Sequence, residues 1–208
     1  MNIQIPADLF GKTGLTACFT GPRPKNLHGY DDRQPYVGIV AHLAQVIDAL
    51  AGLGCTNFVS GGAQGTDQLA FWAVDLVKQD RPSVRNLLYI PFANQPGRWS
   101  PHGMFGQDEY FACVKKADAT KLVSRDNPPA GDVGAAARML HARNHAMVAD
   151  SDFVIAFLAD RSLDWRNSKG RTSECVRYAH GQGKPVLAIE YRPGTSRPYD
   201  LNWIMPEA

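Results

Sequence analysis

The chain has 208 residues, 44% of them hydrophobic, and a formal net charge of +2. That length fits one domain with a sizeable core, and the composition is that of a globular protein. Near-neutral charge argues against gripping nucleic acid by bulk electrostatics and leaves room only for a local patch. The N-terminus "MNIQIPADLFGKTG" has no basic region followed by a long apolar core, and no run reaches 18 apolar residues. Neither a secretory signal nor a membrane span is therefore expected. Cys18, Cys55, Cys113 and Cys175 lie far apart with no CxxC spacing. They read as small buried thiols in a reducing, cytoplasmic compartment.

In chain order, "LTACFTG" reads as a buried strand ending in a turn. The polar stretch "PRPKNLHGYDDRQP" is long for a strand-to-helix connection, and such loops are often functional. "YVGIVAHLAQVIDALAGLG" places Val37, Val40, Leu43, Ile47 and Leu50 at helical spacing, with Gly52 or Gly54 as the stop. "NFVS" is a second strand and "TDQLAFWAVDLVK" a second long helix, with Trp72 expected in the core. "NLLYIPF" is a strand, "ANQPGRWSPHGMFGQ" a loop, "DEYFACVKKA" a helix and "TKLVS" a short strand. "VGAAARMLHARNHAMVADS" is a helix whose apolar pattern (Val133, Ala137, Leu140, Met147) is interrupted by Arg143 and Asn144. "DFVIAFLAD" is a strand, "TSECVRYAHGQG" a helix and "KPVLAIE" the last strand. The tail, residues 191–208, reads as irregular coil beyond a core of about 15–190.

This alternation predicts one α/β domain spanning 1–208. Its doubly wound, mostly parallel, Rossmann-like sheet would carry helices on both faces, because strands such as "FVIAFL" are continuously apolar. Ligands of such sheets bind beyond the carboxyl ends of the strands, where strand order reverses. The unusual loops all fall at those ends.

Three of them suit an anion. In "SGGAQGTD", Gly61, Gly62 and Gly65 allow a sharp turn and close backbone approach, and the following helix presents N–H groups. Ser60 and Thr66 add hydroxyls. Asp67 is either a helix cap or a partner for sugar hydroxyls. The stretch is neither a Walker A sequence nor a strict GxGxxG, so it reads as cradle or as plain turn; its place after a buried strand favours the cradle. In "FTGPRP", Gly21 gives room and Arg23 a rigid fork for phosphate oxygens, or else a solvated loop arginine. In "SKGRTSE", Gly170 and Arg171 approach the crevice, and Thr172 or Ser173 caps a helix. Glu174 follows in its first turn, facing the crevice either as a dipole partner or as a carboxylate beside a sugar ring. Trp99 either stacks on a base or is a loop aromatic. His141 and His145 sit one turn apart without HExxH, so no metal site is expected, and no GxSxG elbow is present.

The order "TGPRP", "SGGAQGTDQLA", "PFANQPGRW", "RNHAMVADSDFVIAF", "GRTSECVRYA...GKPV" resembles the DUF1273 or YpsA-like family, over roughly Leu15 to Ile189. That family lies within the SLOG group of Rossmann-like proteins, beside the LOG phosphoribohydrolases and the DNA-processing protein DprA. The resemblance implies a nucleotide-like ligand near Gly61, Gly62, Gly65 and Asp67. It matches Arg143 and Glu174 to the LOG residues associated with N-glycosidic cleavage, and Thr172 to the threonine of the LOG loop. This sequence departs from the LOG loop by lacking paired glycines before the threonine, with Arg171 in place of the last one.

Three functions follow as expectations. The first is a nucleotide-binding sensor acting through a partner or a homo-oligomer, dimer or higher. The second is a metal-independent nucleotide N-glycosidase using Glu174 and Arg143, with no cofactor. The third is a DprA-like module for single-stranded nucleic acid.

Overall fold

The computed structural model describes residues 3–207. Six parallel strands and one antiparallel strand form a single sheet of order β4-β3-β2-β1-β5-β6-β7. In chain order these are β1 (Leu15–Thr20), α1 (Gln34–Gly52), β2 (Cys55–Ser60), α2 (Thr66–Lys78), β3 (Arg85–Ile90), α3 (Gln107–Lys116) and β4 (Ala119–Leu122). Then follow α4 (Val133–Ala149), β5 (Phe153–Ala159), α5 (Arg171–Gly181), β6 (Val186–Tyr191) and β7 (Tyr199–Ile204). The expected mostly parallel α/β architecture is therefore present.

The centre of the sheet is its most apolar part. All seven residues of β5 are buried, while all four of edge strand β4 are exposed. Helices cover both faces, so the inner strands bury both of theirs, as their unbroken apolar sequence requires. One core cluster joins α1 and α2 to one face of the sheet through Leu43, Ile47, Ala70, Val74 and Phe58. The other joins α4 and α5 to the opposite face through Met147, Val154, Val176 and Val186. Each fully buried side chain of this kind contributes about 1.5–3 kcal/mol.

Some helical positions differ from the periodicity. α1 turns Tyr36, Ile39, Leu43, Val46, Ile47 and Leu50 inward, whereas Val37 is 61% exposed. The inward stripe begins one residue earlier than Val37, and Pro35 starts the helix ahead of it. By length and composition α1 is apolar enough to cross a membrane, with a hydropathy of 1.2, but its apolar stripe packs onto the sheet. Val133, at the start of α4, is also exposed; there Asp132 caps the helix by accepting from the Ala135 N–H at 2.8 Å. Trp72 is only half-buried, at an apolar groove between α1 and α2 lined also by Val40, Leu69 and Phe105.

The tail is not wholly coil. β7 pairs antiparallel with β6 from Tyr199 opposite Tyr191 to Ile204 opposite Val186. The alternation in "YDLNWI" turns Tyr199, Leu201 and Trp203 toward the core and exposes Asp200 and Asn202. That period of two is the signal a strand gives in sequence. Trp203 Nε1 donates to the Gln4 carbonyl at 2.7 Å, tying the tail to the N-terminal segment.

The chain runs outward from β1 through β2 and β3 to β4, then returns to place β5 on the other side of β1. The carboxyl ends of β1 and β5 are thus the topological switch point, where adjacent connections diverge and leave a crevice.

Candidate functional site

Two adjoining cavities occupy that switch point. The inner one, about 40 Å³, is lined by residues that include Arg23, Asp67, Arg143, Asn144, Arg171 and Thr172. The outer one, about 820 Å³, shares Gly21, Arg23, Arg171 and Thr172 and continues past Lys25, Tyr30, Arg161 and Lys169. The outer volume is that of a ligand-sized pocket.

The inner wall is organised by a buried ion pair. Arg143 Nη1 donates to Asp67 Oδ2 at 2.8 Å, with side chains only 5% and 10% exposed. The same carboxylate oxygen accepts from the Ala63 N–H at 3.2 Å. Arg143 Nε is buried without a partner among the described residues. Arg143 projects from α4 across the edge of the sheet, and it fits because residue 61 is glycine: a Cβ there would coincide with its guanidinium.

This arrangement reassigns much of the "SGGAQGTD" turn. Gly61 makes room for an arginine of the protein. Gly62 and Gly65 turn the chain at φ of 64° and 90°. Ser60 is 1% exposed. Thr66 is also 1% exposed, and both its hydroxyl and its N–H donate to the Pro22 carbonyl, at 3.1 and 3.3 Å. Gly21 lies flat against Thr66, since a Cβ at residue 21 would overlap that side chain. Ser60 and Thr66 are therefore packing residues. Asp67 does not cap α2, whose N-cap is Gly65; it lines the inner cavity with one oxygen held by Arg143.

The α5 turn is the open one. Gly170 is its N-cap, Arg171 begins the helix, and no side chain caps it, contrary to the expected role of Thr172 or Ser173. Among the described residues the backbone N–H groups of Arg171, Thr172 and Ser173 make no backbone hydrogen bond. Arg171 is exposed, Thr172 is buried against both cavities, and a Cβ on Gly170 would meet only ordinary contacts, the nearest at 3.6 Å. The preceding loop is held by Arg177, whose Nη1 donates to the carbonyls of Trp165 and Ser168 at 2.5 and 2.8 Å. Nothing in the local sequence marks Arg177 for this; it follows from α5 passing beneath the loop.

Two expected site residues lie elsewhere. Glu174 turns toward α4, where its Oε1 lies 2.9 Å from His141 Nδ1; it is not among the residues lining either cavity. Glu174 sits three positions into α5, past the helix end that borders the crevice. Trp99 packs edge-on to Tyr110 at 5.5 Å and is also outside both linings. The aromatic that does line the outer cavity is Tyr30, 43% exposed, from the long loop after β1. His145, the other half of the helical histidine pair, stacks on Tyr178 at 3.7 Å.

The Arg23 side chain is half-buried and makes no hydrogen bond among the described residues. Burial lowers its pKa from the ordinary arginine value, Asp67 opposes this, and the nearby Arg143 and Arg171 add to the lowering. Three guanidinium groups from three segments thus converge on one cavity with a single carboxylate among them, a cluster that favours an anion. The cysteines offer no nucleophile: burial pushes Cys175 up to about 11 and Cys18, Cys55 and Cys113 up as well.

Fold and site together define a Rossmann-like α/β protein with an arginine-lined crevice at its topological switch point. The chain belongs to the YpsA family, described as the YspA SLOG family, whose model matches residues 17–191. It is similar to the uncharacterized SPbeta prophage-derived protein YoqJ of Bacillus subtilis (strain 168), 30% identical over 129 residues covering 59% of this chain and 68% of that one. It is also similar to a UPF0398 protein of Oenococcus oeni (strain ATCC BAA-331 / PSU-1), 28% identical over 83 residues, 39% of this chain and 44% of that one.

Proposed function

We propose that this protein binds a phosphate-bearing, nucleotide-like small molecule at the β1–β5 switch point and acts as a sensor. The observation that carries the reading is the convergence of Arg23, Arg143 and Arg171 on one cavity at the open N-terminus of α5. Asp67 positions Arg143, and the free N–H groups of α5 complement the phosphate, which fits the partial positive charge of a helix N-terminus. Tyr30 offers a face for a base. The four thiols are free and buried, which supports a reducing compartment such as the cytoplasm.

Calorimetric titration with nucleotides, paired with mass spectrometry of molecules that co-purify, tests this. Stoichiometric binding lost in Arg171→Ala supports it. A chain that carries no nucleotide and binds none refutes it.

Cleavage of an N-glycosidic bond is the second reading. The close Glu174–His141 pair, 2.9 Å apart, favours it, as a carboxylate oriented beside the sugar would stabilise an oxocarbenium-like state. Its demand is steady release of free base by the wild type and none by Glu174→Gln. The position of Glu174 outside both cavity linings favours binding over cleavage.

A further inference from the structure

Resting on the reading that a phosphate-bearing nucleotide is the ligand, we infer that the ligand carries at least two phosphoryl groups: one in the inner arginine pocket and the rest in the outer cavity. The two cavities differ in size as this requires. The inner one, about 40 Å³, has space on the order of three water positions, the scale of one tetrahedral anion. The outer one is about 820 Å³, which one phosphate leaves largely unfilled.

The charges point the same way. Arg23, Lys25, Arg161, Lys169 and Arg171 line the outer cavity, against the single carboxylate of Asp160. None of these five cations forms an ion pair among the described residues, whereas the lysines and arginines that do are Lys78, Arg81, Lys116, Lys121, Arg143 and Arg192. The whole chain carries only +2, so the cationic excess is concentrated in this cleft. A monophosphate of charge about −1.5 to −2 matches roughly two of these cations. A diphosphate or longer chain is needed to engage the rest.

The cations also come from three separate segments. Arg23 and Lys25 follow β1, Arg161 follows β5, and Lys169 and Arg171 lead into α5. The loop after β5 is held in shape: Ala159 N–H donates to Ser162 Oγ at 2.8 Å, and Ser162 Oγ donates back to the Ala159 carbonyl at 2.7 Å. Asp160 there adopts φ of 48°, the only positive φ outside glycine among the described residues. Residues held in such sparsely populated conformations cluster at ligand sites. The ligand class is therefore a nucleoside diphosphate or a longer phosphoanhydride, its inner phosphate between Arg143 and α5, its outer phosphates against Lys25, Arg161 and Lys169.

The test is a metal-free titration at fixed salt with inorganic phosphate, pyrophosphate, AMP, ADP and a single-stranded 20-nucleotide DNA. Pyrophosphate over phosphate, and ADP over AMP, are each expected at tenfold or more. The triple variant Lys25→Ala, Arg161→Ala, Lys169→Ala should reduce both ratios to about one, and its unchanged melting temperature shows that it folds. Equal affinities within each pair overturn the inference and leave the phosphate-ligand reading standing. Absence of binding by all five probes, with no nucleotide co-purifying, removes both. DNA binding that outcompetes ADP and falls steeply with salt overturns the inference in favour of a nucleic-acid backbone.

Discussion

The turns after β2 and before α5 look alike in outline and behave oppositely. Both leave the carboxyl side of the sheet and open a helix whose N-cap is glycine, Gly65 in one and Gly170 in the other. The first has the glycine-rich sequence that suggests a phosphate cradle. In the structure its free space is taken by the protein itself: Arg143 lies over Gly61, and Thr66 fastens to Pro22. The second lacks paired glycines, yet its N–H groups and Arg171 face open cavity. A glycine marks a place where something must come close; it does not say whether that something is a ligand or a side chain from a distant helix.

The largest effects should come from the closed turn. Asp67→Asn or Arg143→Met removes one partner of a buried ion pair and should cost about 3–5 kcal/mol. At roughly 2–4 °C per kcal/mol for a chain of this size, thermal unfolding should fall by about 6–20 °C. A loss under about 1 kcal/mol would show that the pair is not the anchor we describe.

The two glycines separate the turns most directly. Gly61→Ala forces Arg143 out of its seat and should destabilise by about 3 kcal/mol or more, as other buried-pair disruptions do. Gly170→Ala has room for its methyl group and should stay within about 0.5 kcal/mol of the wild type by urea denaturation. Equal costs at both positions would erase the contrast.

Arg171→Ala should leave stability within about 0.5 kcal/mol, because the side chain is exposed and unpaired. It should weaken nucleotide binding by about tenfold or more, since hydrogen bonds to charged groups are worth about 1.5–3 kcal/mol. Undiminished binding would move the anion site away from α5.

The smallest effect is expected at the half-exposed Glu174–His141 pair. Glu174→Gln should cost less than about 1 kcal/mol and leave nucleotide affinity within twofold of the wild type. A large loss of affinity would bring Glu174 back to the ligand and reopen the cleavage reading.

Much of this was legible in the sequence, for identifiable reasons. The continuous apolar run of β5 announces a strand buried on both faces, and the 3.6-residue spacing of Leu43, Ile47 and Leu50 announces a helix lying on that sheet. Arg23, Gly170, Arg171 and Thr172 could be placed near one crevice because carboxyl-end loops of a parallel sheet converge, whereas Arg143, on α4, was placed there by the family resemblance. Lys25, Tyr30, Arg161 and Lys169 were missed, since a charged or aromatic residue in a polar loop carries no local mark of direction. β7 was missed too: its proline-rich surroundings hid a six-residue alternation that becomes a strand only when the β6 edge is there to pair with it.

Local pattern therefore determined the fold class, the switch-point location and the kind of residues available there. It could do so because period and burial are properties of neighbouring residues. Tertiary structure alone decided which arginine is an anchor and which is free. Arg143 meets Asp67 across a sequence separation of 76, and Glu174 turns to His141 instead of the crevice. Those choices depend on how α4 sits over the sheet, a relation set by packing between segments far apart in the chain.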